Sequence, residues 1–436
     1  GYNSNKLANG VDSEYFASLQ HDKSSPLLNY ATQQKTAPGS TFKLVSATAG
    51  LAENVITTSD QIRCTGIYND ISNKPKCWIY PGSHGLENVF EAVRDSCNVF
   101  FYTVGNRLAQ KKTGTYNDAN GIDLIQKYAH IYGLDQKTGL EISESKSSVA
   151  TKYPVMAAIG QSDNNYTTVA LSRYVTAVAS GKKYNYQLMN KIVDADGKTV
   201  KKYKADYEDI SDTLTSSQWD AIHSGMREVV STMDRFQGFD IPVAGKTGTT
   251  NDSKDLWFVG YTPYLTAGVW LGYDQSYPME YTGLSETEHE YLWARIMRRI
   301  DAECGFETAS FPVPDNVGTR TVCSKSGKLV GTSVCTPVTE YFDLSALPSG
   351  YCNDHIGATV CNVCGGLATG NSPSTSYQEY SSSSSIPNYY CTCQPTTEAP
   401  TANTSASEST PTTEPPVTEP PVTEPPTPES TPTPVG

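Results

Sequence analysis

Three short stretches in fixed order constrain this chain of 436 residues more than anything else in it: Ser40-Thr41-Phe42-Lys43, then Ser96-Cys97-Asn98, then Lys246-Thr247-Gly248-Thr249. The first two alone are common, since a serine three residues before a lysine, or Ser-x-Asn, arises by chance in proteins of this size, and Lys-Thr-Gly-Thr is more specific. Together they demand a fold that gathers three distant segments around one serine nucleophile with lysine as its base.

The local context fits. Pro38 and Gly39 punctuate just before the apolar, alanine-containing run that starts at Phe42, which predicts a turn followed by a helix with Ser40 at its N-terminus. Residues three apart share a helical face, so Lys43 is expected to reach the Ser40 hydroxyl, and the helix dipole favours an oxyanion there. The third stretch has strand context. Ile241 to Thr249, Leu256 to Thr262 and Thr266 to Tyr273 are β-rich runs separated by turn residues, and they predict consecutive antiparallel strands. Gly248, without a side chain, is expected to let a substrate backbone approach the strand edge.

Pro38 to Lys43, Arg94 to Tyr102, and Gly245 to Asp252 continuing through Gly260-Tyr261-Thr262-Pro263 resemble the transpeptidase domain of a class A, bifunctional penicillin-binding protein. Secondary stretches agree: Cys77-Trp78 with His84-Gly85, Thr138-Gly139-Leu140-Glu141, Ile159-Gly160-Gln161 and Gly225 to Val230. The resemblance covers residues 1 to 315, with a weaker echo to 365. It implies an α+β fold: an antiparallel sheet flanked by helices, with the serine on a helix between the sheet and an all-helical region.

The resemblance implies a peptidoglycan D,D-transpeptidase. Ser40 attacks the carbonyl of a D-Ala-D-Ala stem peptide, and a neighbouring amine resolves the acyl-enzyme into a crosslink. β-Lactams are the implied covalent inhibitors. Lys43 must be neutral to act, which needs a pKa shift of about 3 units, or about 4 kcal/mol, from an ordinary lysine. Desolvation and the Lys246 charge push in that direction. Ser96 relays a proton to the leaving amine, and Asn98 bonds the lysine and the substrate amide. Lys246, Thr247 and Thr249 hold the terminal carboxylate, with the strand at Gly248 beside it, and backbone N–H groups of Ser40 and Thr249 form the oxyanion hole. The same acylation also suits a D,D-carboxypeptidase or β-lactamase, or a penicillin-sensing or wall-binding domain that does not turn over. The Lys-Thr-Gly-Thr-Thr-Asn-Asp context and the long span from Ser-x-Asn favour the transpeptidase.

The six histidines fall in no nucleophile or zinc-protease pattern and read as structural or exposed. Glu141 is the one carboxylate that could activate a deacylating water, but its turn reads as structural. No cofactor is expected. Net charge is −13, yet ten acidic residues and no Lys or Arg lie from Gly331 onward, so the acidity belongs to the tail and nucleic acid is not an expected partner. The chain starts at Gly1 without an apolar stretch of about 18 residues. By resemblance, a membrane anchor, a glycosyltransferase domain and the first sheet strands precede it in a parent protein facing the cell wall.

Ser285-Glu286-Thr287-Glu288 reads as a capping box, followed by Leu292, Trp293, Ile296, Met297 and Ile300 at helical spacing, which predicts a helix packed across the sheet with Arg295, Arg298 and Arg299 in solvent. Of eleven cysteines, Cys97 reads as a small buried thiol. Cys64 and Cys77 flank a loop near the active site, Cys323 and Cys335 bracket a hairpin-like span, and disulfides are the expected state outside a membrane. Cys352-x-x-His355 followed by Cys361-x-x-Cys364 also has the spacing of one zinc site, with Cys304, Cys391 and Cys393 as alternative disulfide partners. The expected organisation is a transpeptidase domain at 1–315, a small cysteine-containing extension at 316–365, and a disordered Ser/Thr/Pro/Glu-rich spacer at 366–436.

Overall fold

The computed structural model describes residues 2–394 except 9, 251–252, 274–276, 280–282, 312–316, 332–333 and 382. The Pro-, Thr- and Glu-rich spacer from 395 onward lies outside the described residues. The described residues form two compact units, one within 1–320 and 339–348, the other within 321–338 and 349–394.

In the first unit, helix α1 (Lys43–Ala52) is the centre of the core: Lys43 through Leu51 are all buried. Its small residues let neighbours close in, since a Cβ at Gly50 would meet the Ile56 and Val104 side chains near 3 Å. Around it pack α2 (Val89–Arg94), α3 (Asn98–Gln110) and α4 (Asp118–Ile131), the all-helical region. A capping box starts α2: Asn88 and Glu91 satisfy each other's backbone N–H groups. Cys97 caps α3, its Sγ accepting from Phe100 N, so Asn98 is the first residue of that helix.

Helices α5 (Thr168–Ser180) and α6 (Ser216–Ser231) lead to a three-stranded antiparallel sheet, β1 (Ala244–Thr249), β2 (Asp255–Tyr261) and β3 (Thr266–Gly272), with β2 in the middle. Register pairs Trp257 with Gly248 on one side and Trp270 on the other. All seven β2 residues are buried, which requires both sheet faces to be covered. Trp257, Val259 and Tyr261 join the core around α1, while Phe258 joins a second core with Trp293. The α+β architecture is the one expected.

Trp293 belongs to α7 (Glu288–Cys304), which lies on the sheet as predicted but differs in detail. No capping box forms: the N-cap is Thr287 rather than Ser285, and its hydroxyl meets Ser285 Oγ instead of a backbone N–H of the helix. The buried face is His289, Glu290, Trp293, Ala294 and Met297, leaving Leu292 and Ile296 exposed. Trp293 stacks edge-on against Phe236 and Phe258 and its indole N–H donates to Ala267 O, which fixes the helix rotation. Arg295 and Arg299 are exposed, whereas Arg298 donates to the carbonyls of Arg235 and Gln237.

The second unit corrects the expectation that ordered structure ends at 365. Strand β4 (Ile356–Cys361) pairs antiparallel with β5 (Thr375–Tyr380), inside the stretch assigned to the spacer.

Candidate active site

The three motifs converge. Gly39–Phe42 make one 3₁₀ turn that runs into α1, so Ser40 sits a turn upstream of the helix rather than at its first residue. The turn lies directly against the end of β1. Gly39 has φ +52°, and a Cβ there would be 2.7 Å from Thr249 O. From the other side, a Cβ at Gly248 would be 2.5 Å from Pro38 O and 2.8 Å from Thr41 Cγ2. Gly248 is buried, so the close approach it permits is by the serine turn, which corrects the expected role of admitting a substrate backbone.

Lys43 and Lys246 are both completely buried. Lys43 Nζ donates to Ser96 O at 2.6 Å, Ser96 Oγ at 3.2 Å and Asn98 Oδ1 at 2.6 Å. Lys246 Nζ donates to Ser96 Oγ at 2.9 Å and to Thr247 O at 3.3 Å. One hydroxyl therefore bridges the two lysines, and Lys43 is anchored on the Ser-x-Asn segment. Ser96 reaches this position because its backbone is left-handed, φ +53°, between the end of α2 and the start of α3. Burial strips water from both cations. It brings Lys43 down to about 8, opposed by the charges of Cys97, Cys77 and Glu87. It holds Lys246 well below the ordinary lysine range, with the Lys43 charge acting in the same direction.

Ser40, Ser96, Asn98, Thr247 and Thr249 line one open cleft of about 810 Å³. Trp78 and Asp95 also line it, residues whose part in the site the sequence did not reveal. Trp78 is 62% exposed, its indole N–H donating to Asp95 O, and the Asp95 carboxylate accepts twice from Arg94 at 2.7 Å. An exposed tryptophan tied down this way offers a flat apolar wall to a ligand. Glu141 is elsewhere in use: its carboxylate accepts from the N–H groups of Leu188 and Met189, which lower its pKa.

Behind Ser-x-Asn, the donor atoms of Cys64, Cys77, His84 and Cys97 all lie within 4.8 Å of one another. None of the eleven cysteines is in a disulfide, so the expected pairings are not formed. Three thiols and an imidazole suit a tetrahedral soft cation, and among the described residues His84 Nε2 and both Glu87 carboxylate oxygens are buried without a hydrogen-bond partner. Cys77 Sγ accepts from Asn98 N at 3.3 Å, so this cluster props the backbone that presents Ser96 and Asn98. The four residues are up to 33 positions apart, so no short sequence motif marks the set.

Curated relatives and solved structures resemble this chain in sequence and in fold. The chain is 27% identical over 356 residues to penicillin-binding protein 1A of Clostridium tetani, covering 77% of this chain and 42% of that protein. It is 27% identical over 305 residues to peptidoglycan D,D-transpeptidase MrdA of Haemophilus influenzae, covering 60% of this chain and 44% of that protein. The chain thus spans less than half the length of these curated relatives. Among solved structures, penicillin-binding protein A from M. tuberculosis as an imipenem acyl-enzyme complex shares the fold at TM-score 0.56 and 19% identity over 68% of each chain. PBP2 of Pseudomonas aeruginosa in complex with WCK 5153 does so at TM-score 0.55 and 20% identity over 72% of this chain and 71% of that one. The family model for the penicillin binding protein transpeptidase domain matches residues 2–287, from before the serine turn to the last residue ahead of α7. With well over half of its length matched, the chain belongs to the penicillin-binding protein transpeptidase family.

Proposed function

We propose that this chain is a serine D,D-transpeptidase that crosslinks peptidoglycan stem peptides through an acyl-enzyme on Ser40, and that β-lactams block it at that ester. The observation that carries this reading is the hydrogen-bonded line Asn98–Lys43–Ser96–Lys246, with both lysines buried, beside a cleft that Ser40, Thr247 and Thr249 share.

Chemistry follows from the charges. Two desolvated ammonium groups around one hydroxyl disfavour each other. A substrate carboxylate held by Lys246, Thr247 and Thr249 supplies a counter-charge to Lys246, and the charged Lys246 then favours neutral Lys43. Neutral Lys43 takes the Ser40 proton as Oγ attacks the penultimate D-Ala carbonyl, with the N–H groups of Ser40 and Thr249 facing the oxyanion. The C–N bond to the terminal D-Ala breaks, and its nitrogen receives the proton through Ser96. An acceptor amine then attacks the ester carbon, its proton passes back by the same route to Ser40 Oγ, and the crosslinking amide is released. Asn98 keeps Lys43 in line throughout.

The parent protein is read as anchored in the membrane with this domain outside it; among the described residues no helix is long and apolar enough to cross a membrane. A thioester analogue of the stem peptide, with a D-amino acid as acceptor, tests the activity. Repeated transfer to the amine supports the transpeptidase. Hydrolysis alone would reassign the chain as a carboxypeptidase, and a single acylation without turnover as a sensing domain.

A pH dependence accompanies the reading. The reactive form of Lys43 is the neutral one, so its fraction grows as pH rises through its pKa of about 8. At pH 7 roughly one Lys43 in ten is neutral. The second-order rate of acylation by a chromogenic cephalosporin is expected to climb steeply from pH 6 to 8 and level off above. A flat profile over that range would contradict Lys43 as the base.

A further inference from the structure

We propose that the second unit is a tandem pair of metal-binding modules, each closed by one zinc ion: Cys323, Cys335, Cys352 and His355 in the first, Cys361, Cys364, Cys391 and Cys393 in the second. Within each set the four donor atoms lie within 4.8 Å of one another. Cys323 Sγ is 3.3 Å and Cys352 Sγ 3.8 Å from His355 Nε2. Zinc–sulfur bonds of about 2.3 Å in a tetrahedron place neighbouring sulfurs about 3.8 Å apart, which is this scale. The one-ion grouping expected from the sequence, Cys352 and His355 with Cys361 and Cys364, is corrected, because the fold deals those pairs to different sets.

The two modules are copies of one design. Val322-Cys323 is matched by Val360-Cys361, Gly327-Lys328-Leu329 by Gly365-Gly366-Leu367, and Tyr351-Cys352 by Tyr390-Cys391. The backbone repeats with them. Gly327 N donates to Cys323 O as Gly365 N does to Cys361 O, and Cys323 N to Lys328 O as Cys361 N to Gly366 O. Leu329 N donates to Gly350 O and accepts at its own O from Cys352 N, as Leu367 does with Tyr389 and Cys391. Leu329 bridges Tyr351, and Leu367 bridges Tyr390, in parallel.

The ligands tell against disulfides. In the second copy the positions of Cys335 and His355 are held by Pro373 and Gln394, which are not ligands for a soft cation. The lost donors are replaced by Cys364 and Cys393, which stand where the first copy has Ser326 and Asp354. Two of four positions have moved, yet both copies gather four soft donors around one point. A disulfide needs pairs, and the first set has three thiols and an imidazole; a tetrahedral cation uses all four. The modules also have little else to hold them. Of the nine buried described residues in this unit, six belong to the two sets and the others are Val322, Val360 and Gly366. A segment this poor in apolar burial folds only when something cross-links it. Zinc entry releases the thiol protons, three from the first module and four from the second.

Zinc per chain is measured on the full chain by native mass spectrometry and elemental analysis. The comparison is of differences, since the cluster at Cys97 can load as well. Cys323→Ser with Cys352→Ser is expected to lower the count by one ion, and Cys361→Ser with Cys391→Ser by one; all four together lower it by two. Cys304→Ser, an exposed thiol in neither set, leaves the count unchanged. His355→Cys retains the first ion, and on cobalt replacement its thiolate charge-transfer band intensifies toward that of a four-thiolate site. Equal zinc in the wild type and both double variants would overturn the proposal, as would disulfide-linked peptides joining these cysteines in a non-reducing digest.

Discussion

Lys43→Ala is expected to slow acylation of Ser40 by a penicillin by about 10²- to 10⁴-fold, the range over which a positioned general base acts. Its Nζ is the group that touches both Ser96 and Asn98, so its loss removes the proposed base together with the donor that ties down the Ser-x-Asn turn. Lys43→Arg separates these roles. A guanidinium keeps the positive charge and several N–H donors but remains protonated at any workable pH. Acylation should therefore stay as low in Lys43→Arg as in Lys43→Ala, with no recovery between pH 7 and 9. Stopped-flow kinetics on both variants decide the point; an arginine variant within tenfold of wild type would remove Lys43 from the role of base.

The second large effect is at a residue that touches no substrate. Gly160 has φ +76°, and a Cβ there would stand 2.0 Å from Gly39 O and 2.9 Å from Phe42 Cβ, on the two sides of Ser40. Gly160→Ala thus combines left-handed strain with overpacking against backbone that cannot yield without moving Ser40, a cost of about 3 kcal/mol. A fall in Tm of roughly 5–10 °C is expected for a unit of this size. The acylation rate should drop by about 10²-fold, because a displacement near 1 Å of a reacting group is worth that much. Calorimetry and acylation kinetics are measured on the same sample. An alanine variant with wild-type Tm and rate would show that the serine turn is not clamped by the 159–161 segment.

What could be read from the sequence divides along a physical line. That Ser40, Lys43, Ser96, Asn98 and Lys246 come together was legible because each motif sits on one turn or one strand, although the bonds of Lys43 run to Ser96 and Asn98. The three strands were legible from runs such as Leu256 to Tyr261. Contacts between segments were not. Gly248 reads locally as an open strand edge, and only packing shows that Pro38 and Thr41 fill the space. On α7 the apolar pattern pointed equally to Leu292 and Trp293, and the aromatic cluster of Phe236 and Phe258 decided which one is buried. The cysteines misled most. Sequence offered neighbours such as Cys323 with Cys335, whereas each cluster draws donors from segments that meet only after folding. Residues 366–394 read as a spacer because their composition is polar, yet they carry strand β5 and the thiols Cys391 and Cys393 of the second set.

Whether Ser40 is the nucleophile is decided by the intact mass of the chain over time after addition of a penicillin, with Ser40→Ala in parallel. One adduct of the full penicillin mass is expected on the wild type, persisting for many minutes, and none on the variant. An adduct of the same yield on Ser40→Ala, or none on a wild-type chain that circular dichroism shows to be folded, would contradict Ser40 as the nucleophile.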